Sequence, residues 1–158
     1  MRLVSPQPDP LQRPAVLGIE AAGVVLDVGD GVDDIAKGDR VGYGGGPAGA
    51  YSTARNIPAN RLIRIPPDVP DDIAAAVLMK GMTVEYLLTR TWKVQPGQFV
   101  LFYAASGGVG QLAGQWGRHL GARMIGVAGG AEKCAAAREA GFEFVVDRTT
   151  EDNPARVR

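Results

Sequence analysis

Cysteine and histidine each occur once in the 158 residues, as Cys134 and His119. A lone cysteine rules out an intramolecular disulfide, and one of each cannot assemble a Cys/His zinc site, which takes three or four protein ligands. Metal chemistry built on such ligands is therefore excluded by count. An excess of charge of one sign is also missing. Seventeen Lys and Arg balance seventeen Asp and Glu, with no basic stripe, so nothing marks a surface for nucleic acid or an anionic membrane. No apolar run approaches the roughly 18 residues of a membrane span. The N-terminal MRLVSPQPDP also lacks the apolar core of a signal peptide, so a cytoplasmic location is expected. What the chain does have is 46% hydrophobic residues, enough to bury a core, and 22 glycines with 11 prolines, which make it rich in turns.

The most informative stretch is Gly97 to Arg118, GQFVLFYAASGGVGQLAGQWGR. Phe99 to Tyr103 is an unbroken apolar and aromatic run, the pattern of a strand buried on both faces of a parallel sheet. Glycines at 107, 108 and 110 follow, and a helical pattern starts at once. Val109, Leu112, Ala113, Trp116 and Leu120 form one apolar stripe, with Gln111, Gln115 and Arg118 mostly off it. A strand, a tight glycine turn and a helix place backbone N–H groups at a helix N-terminus, where a pyrophosphate is favoured. Ordinary strand-to-helix turns also use glycine, so the turn alone leaves a purely structural role open. Its continuation carries more weight. A second strand is expected over Ala122 to Ala128 after the Gly121 stop. A second helix runs from about Ala131 to a Gly141 cap, and a third strand covers Phe142 to Val146. The order is βαβαβ.

Upstream, Met1 to Pro14 is an irregular lead-in. Ala15 to Val32 predicts antiparallel strands turning at Gly29-Asp30-Gly31. Short strands are expected over Arg40 to Tyr43, from near Ala50, and over Arg61 to Ile65, with a flexible loop from Gly44 to Gly49. Asp71 and Asp72 suggest an N-cap, with helical stretches on either side of Gly81, the second running from Met82 to Thr91. Cys134 sits among helix alanines and suits a packing role. His119, in a last helical turn, suits the helix dipole rather than catalysis. Tyr86 by itself is a core aromatic, and Tyr51 is equally a barrel aromatic.

The pattern from Gly97 to Arg118 resembles the signature of the quinone oxidoreductase and zeta-crystallin branch of the medium-chain dehydrogenases/reductases. The similarity extends through LGIEAAGVV (Leu17 to Val25), KGDRVGY (Lys37 to Tyr43), GAYS (Gly49 to Ser52), KGMTVEYLL (Lys80 to Leu88) and VVDRTTED (Val145 to Asp152). The zinc branch of that superfamily carries Gly-His-Glu where this chain has Gly18, Ile19 and Glu20, in agreement with the ligand count. The resemblance implies an α/β chain. A partial GroES-like β barrel, the substrate domain, would occupy residues 1–70. Bridging helices and the first βαβαβ half of a Rossmann domain would occupy 71–158. Relatives begin with further strands, including an Asn-Phe-x-Asp segment, and continue into a second mononucleotide half. The chain is therefore expected to be a piece of such an enzyme, truncated at both ends, with full-length relatives forming homodimers.

The implied activity is metal-free hydride transfer from NADPH to a quinone, or to an enoyl or alkenal double bond. A noncatalytic remnant that keeps only nucleotide binding is the reading from a different class. Cofactor contacts are implied at Thr83 and Tyr86 and at Ser106, Gly107, Gly108, Val109 and Gly110. Gly129, Gly130, Lys133 and Arg148 complete the set. NADPH is expected over NADH because an NAD enzyme places an Asp or Glu about 20 residues beyond the glycine turn. Here the second strand ends Ala128-Gly129-Gly130, with Lys133 and Arg148 near the place of a 2′-phosphate. Glu132 counts against this. No catalytic residue is assigned. Tyr43, beside the glycine loop, is the candidate for lining the pocket of a small quinone or conjugated carbonyl.

Overall fold

The computed structural model describes residues 16–151, so the lead-in expected over Met1 to Pro14 lies outside the described residues. The chain divides into two compact units, Met1–Met79 and Lys80–Arg158.

In the first unit, β1 (Glu20–Val24), β2 (Arg40–Gly44) and β3 (Ile63–Arg64) form an antiparallel sheet in that order. Ala21 lies opposite Tyr43, and Gly42 opposite Ile63. Of the region expected to form strands from Ala15 to Val32, the described part, residues 16–32, holds one strand rather than several. Val25 N–H still reaches Asp39 at 3.0 Å, but the chain then turns at Asp30 and Gly31, whose φ is +76°. No strand begins near Ala50. The N–H groups of Gly49 and Ala50 both donate to the Gly18 carbonyl, and Ser52 N–H folds back onto Ala50, so the ladder stops. Tyr51 is 77% exposed and is no barrel aromatic. The strand expected over Arg61 to Ile65 shrinks to two residues, because Ala59–Arg61 closes a 3₁₀ turn on the Pro58 carbonyl.

The helix α1 (Asp71–Glu85) begins at Asp71 itself. Asp71 is not the cap. Its Oδ1 takes Arg40 Nε at 3.0 Å and Nη2 at 2.6 Å, while the Pro70 carbonyl receives Ala74 N–H. Nor does Gly81 divide two helices. The helix passes through it and widens into a π turn, Tyr86–Thr91. The cause of the widening is local. The Thr89 hydroxyl donates to the Glu85 carbonyl at 2.7 Å, competing for the acceptor of the regular ladder, and Trp92 N–H goes to Leu87, five residues back.

In the second unit, β4 (Phe99–Tyr103), β5 (Arg123–Ala128) and β6 (Phe144–Asp147) form a parallel sheet in sequence order. The helices α2 (Gly108–His119) and α3 (Ala131–Glu139) make the crossovers, so the βαβαβ order holds. The third strand starts two residues later than expected. Phe142 is instead 3% exposed in the core that α2 and α3 build with Val100, Phe102, Met124, Ala128 and Val145. That core covers one sheet face. Along β4 the alternate residues Phe99, Leu101 and Tyr103 are 40–59% exposed, so the strand is not buried on both faces. Arg123 lies 4.5 Å over the Phe99 ring, shielding part of the uncovered side.

The face of α2 that meets the core also differs from the apolar stripe. Gly110, Ala113, Gly114 and Gly117 are its buried residues. A Cβ at Gly114 would stand 2.6 Å from the Ala140 carbonyl oxygen, and one at Gly117 would stand 2.3 Å from Met124 Sδ. The glycines therefore let the helix sit close to its neighbours. Val109, Leu112, Trp116 and Leu120 pack on a second cluster formed by Val84, Leu88 and Val94.

Candidate functional site

The turn between β4 and α2 is built from backbone. Ala104 takes φ +55°, the only positive value outside glycine among the described residues, and its carbonyl receives Gly107 N–H at 2.9 Å. A left-handed alanine costs roughly 1 kcal/mol. Here it turns the chain sharply from strand to helix. Gly107 precedes the helix with no side-chain cap, and no acid lies in the first turn. The N–H groups of Gly108, Val109 and Gly110 have no intrahelical acceptor and carry the positive end of the helix dipole.

The glycines of this turn do different jobs. At Gly110 a Cβ would stand 2.4 Å from the Ala104 carbonyl oxygen and 2.6 Å from that of Ala105, so it is required for helix-to-strand packing. At Gly108 a Cβ would meet only the Lys80 side chain, at 2.9 Å. Lys80, which the sequence reading did not single out, therefore crosses the helix start. Its signal was the KGMT motif that supplied Thr83. Ser106 is half-buried, and its carbonyl accepts Gln111 Nε2 at 2.9 Å. Thr83 follows Lys80 by three residues on the same side of α1 and is half-buried. Tyr86 opens the π turn and is 48% exposed, which removes the core-aromatic reading.

The second half of the candidate site lies at the ends of β5 and β6. Gly130, at φ +91°, is the residue before α3. Its N–H donates to Asp147 Oδ1 at 2.9 Å, and the same oxygen takes Thr149 N–H at 3.0 Å and the Thr149 hydroxyl at 2.6 Å. These donors, Gly130 first, hold the Asp147 carboxyl below the ordinary aspartate value. The sequence reading found no acid at the end of the second strand and missed that the third strand delivers one. Arg148 folds over Gly129, where a Cβ would stand 3.0 Å from its Nε. Lys133 and Glu132 are exposed in the first turn of α3. Thus Gly129, Gly130 and Arg148 are brought together, and Lys133 begins the helix beside them. An uncapped helix start, flanked by side-chain-free backbone, fits the phosphates of a dinucleotide. Cys134, behind this turn, is 3% exposed, and burial raises its thiol above the usual value. His119 closes the last turn of α2.

In the first unit Tyr43 is 7% exposed, and its hydroxyl accepts Arg55 Nη1 at 3.1 Å. It borders a cleft of about 180 Å³ with Gly45, Pro47, Arg55 and Arg61. Glu20, in place within Gly18-Ile19-Glu20, accepts Met79 N–H at 3.2 Å and so ties β1 to α1. Among the described residues no group of three or more His, Cys, Asp or Glu is placed to hold a metal. No helix among them is long and apolar enough to cross a membrane.

An antiparallel β unit followed by a βαβαβ half with a glycine turn is the architecture of a medium-chain dehydrogenase/reductase. Residues 4–67 match the alcohol dehydrogenase GroES-like domain. The chain is 45% identical to a 2-haloacrylate reductase of Burkholderia sp over 156 residues, and 44% identical to quinone oxidoreductase 1 of Escherichia coli over 149. Among solved structures, the Pseudomonas syringae quinone oxidoreductase matches with TM-score 0.88 and 47% identity, covering 92% of this chain and 45% of that one. The Escherichia coli enzyme, crystallised with NADPH, matches with TM-score 0.88 and 44% identity, covering 93% and 45%. This chain belongs to the zinc-independent quinone oxidoreductase branch of the medium-chain dehydrogenase/reductase superfamily. It covers 96% of its own length in the first of these matches but spans about half the length of the curated relatives.

Proposed function

We propose that this chain carries the adenosine-side nucleotide site and part of the substrate pocket of an NADPH-dependent reductase acting on quinones. The observation that carries the reading is the bare N-terminus of α2 together with Arg148 folded over Gly129. Gly107, Gly108, Val109 and Gly110 hold the pyrophosphate through backbone N–H groups. Ser106, Thr83 and Tyr86 border it. Arg148 and Lys133 hold the 2′-phosphate, the former through a planar fork suited to phosphate. Asp147 Oδ1 is turned to its own loop, taken up by Gly130 and Thr149. The bound dinucleotide supplies the hydride. The chain's own part is to bind and orient, with Tyr43 lining the substrate pocket. The working division is a substrate portion over 1–70 and a nucleotide portion over 71–158, in a full-length protein that forms homodimers in the cytoplasm.

Reduction of an enoyl or alkenal double bond is the second reading, favoured by the 45% identity to a 2-haloacrylate reductase. A quinone and an enone panel on the full-length protein separates the two by which turns over faster.

The nucleotide reading is tested by calorimetry on this chain. Adenosine 2′,5′-bisphosphate should bind more tightly than adenosine 5′-monophosphate. Arg148→Ala or Lys133→Ala should each reduce that preference about tenfold, as loss of a charged hydrogen bond does. Equal binding of the two nucleotides by the unmodified chain would overturn it.

A further inference from the structure

We propose that the cleft beside Tyr43 binds a small carboxylate. The proposal rests on the reading of Tyr43 as a substrate-pocket residue and names the class of substrate. Two guanidinium groups border the cleft, those of Arg55 and Arg61, and among the described residues no Asp or Glu does. Among the described residues the ion pairs of the first unit use Arg40 and Arg64, and neither Arg55 nor Arg61 takes part in one. Two cations around one concavity, with no counter-charge among the described residues, attract an anion.

The geometry selects its kind. The Arg55 guanidinium lies 5.3 Å over the Tyr43 ring and donates Nη1 to the Tyr43 hydroxyl at 3.1 Å and to the Pro47 carbonyl at 3.4 Å. Because the hydroxyl oxygen is already an acceptor, its proton is free to be donated. Arg55 is half-buried and held by these contacts. Arg61 reaches across from the 3₁₀ turn, its Nη1 2.6 Å from where a Gly46 Cβ would stand. A carboxylate has two oxygens, one for the guanidinium fork and one for the phenol. The rest of the wall includes Asn56 beside the apolar Ile57 and Pro58, and those two suit a short hydrocarbon tail. At about 180 Å³ the cleft is smaller than the roughly 300 Å³ at which drug-sized pockets begin. An acid of a few carbons fits within it.

The probe is crotonate, with crotonamide as its neutral counterpart of the same shape. The full chain is titrated with each while the side-chain Nε–Hε signals of its arginines are followed by NMR. Crotonate should shift Arg55 and Arg61 saturably, and crotonamide should not. Arg55→Gln and Arg61→Gln should each weaken crotonate binding about tenfold or more, and Arg64→Gln, the same charge change outside the cleft, should leave it unaltered. The proposal is overturned if crotonamide shifts the same signals equally. It is also overturned if Arg55→Gln, with a native backbone spectrum, binds crotonate as the unmodified chain does. Should Arg55→Gln unfold, Arg61→Gln and the amide comparison decide by the same criteria. The titration contains no nucleotide and no turnover. Loss of crotonate binding beside intact bisphosphate binding thus rejects the carboxylate site alone, and the converse rejects the nucleotide reading alone.

Discussion

Asp147 Oδ1 accepts the backbone N–H of Gly130 at 2.9 Å, so the end of β6 fixes the turn that leads from β5 into α3. That turn has no side chain of its own to stiffen it. Asp147→Ala should lower the melting temperature and weaken adenosine 2′,5′-bisphosphate binding together, because the N–H of Gly130 and both donors of Thr149 lose one acceptor. A variant that melts lower but binds normally would detach the turn from the nucleotide site.

The same contact sets the acid response. The folded-state value of Asp147 lies below that of the unfolded chain, where it is about 3.9. Its stabilisation is therefore complete above the unfolded value and is lost as pH falls through the folded one. Glu143 is lowered by Arg123 and Glu85 by Arg90 and then Thr89, with the same sign. Stability should be level from pH 7 to about 5 and fall below about pH 4. Asp147→Asn should make that fall shallower in melting curves. An unchanged acid slope would show that Asp147 has no share in it.

Glycines three residues apart in the first turn should behave differently. Gly110→Ala drives a methyl into the carbonyl oxygens of Ala104 and Ala105, backbone that cannot swing aside, and should cost about 3 kcal/mol or abolish folding. Gly107→Ala meets only the Ala104 oxygen, at 3.2 Å with φ −75°, and should cost under about 1 kcal/mol. Urea denaturation of the two variants measures the difference. Gly81→Ala should have the opposite sign, raising stability by about 0.5–1 kcal/mol, because Gly81 lies inside a continuous helix with nothing within 4 Å of a new Cβ.

These glycines also mark the limit of what the sequence revealed. The βαβαβ order was legible because each strand and helix there has its own period and its own stop, Gly121 and Gly141 both taking positive φ. The buried face of α2 was not, because apolar periodicity registers large side chains and cannot register a face made by their absence. Gly110, Gly114 and Gly117 at helical spacing were the available signal. The break expected at Gly81 was wrong for a related reason. Glycine weakens a helix by a small amount, which the packing of Val84 and Leu88 on α2 outweighs. Arg148 and Gly129 were separately visible, but Asp147 lay beyond a local reading. It comes from a different strand, and its role depends on the parallel pairing of Ala128 with Asp147. In the β unit, strands shortened wherever backbone donors turned onto Gly18 or Pro58, which no propensity encodes.

Cys134 should be inert in the folded chain. At 3% exposure, with its thiol value raised first by burial, little thiolate forms and little reagent reaches it. Reaction with a disulfide reagent should follow the unfolding rate, and rapid labelling at neutral pH without denaturant would contradict the packing of α3.

Purified by itself, this chain is expected to oxidise NADPH with a quinone no faster than buffer does. Among the described residues the parallel sheet has three strands, β4 to β6, which form one mononucleotide half. In the proposed nucleotide site Gly107 to Gly110, with Arg148 and Lys133, serve the adenosine side, whereas a nicotinamide ring is held by a second half of the same kind. Without a fixed ring, the 4-hydride and the acceptor carbon are not kept at near-attack distance. Positioning of that sort supplies about 7–11 kcal/mol of barrier lowering, or roughly five to eight powers of ten in rate. A substrate held at the proposed Tyr43 cleft would not change this, because holding one partner does not orient two. Steady oxidation of NADPH at 340 nm, dependent on quinone and well above the protein-free rate, would overturn the expectation. A rate that rose with the square of chain concentration would then point to two copies completing one site.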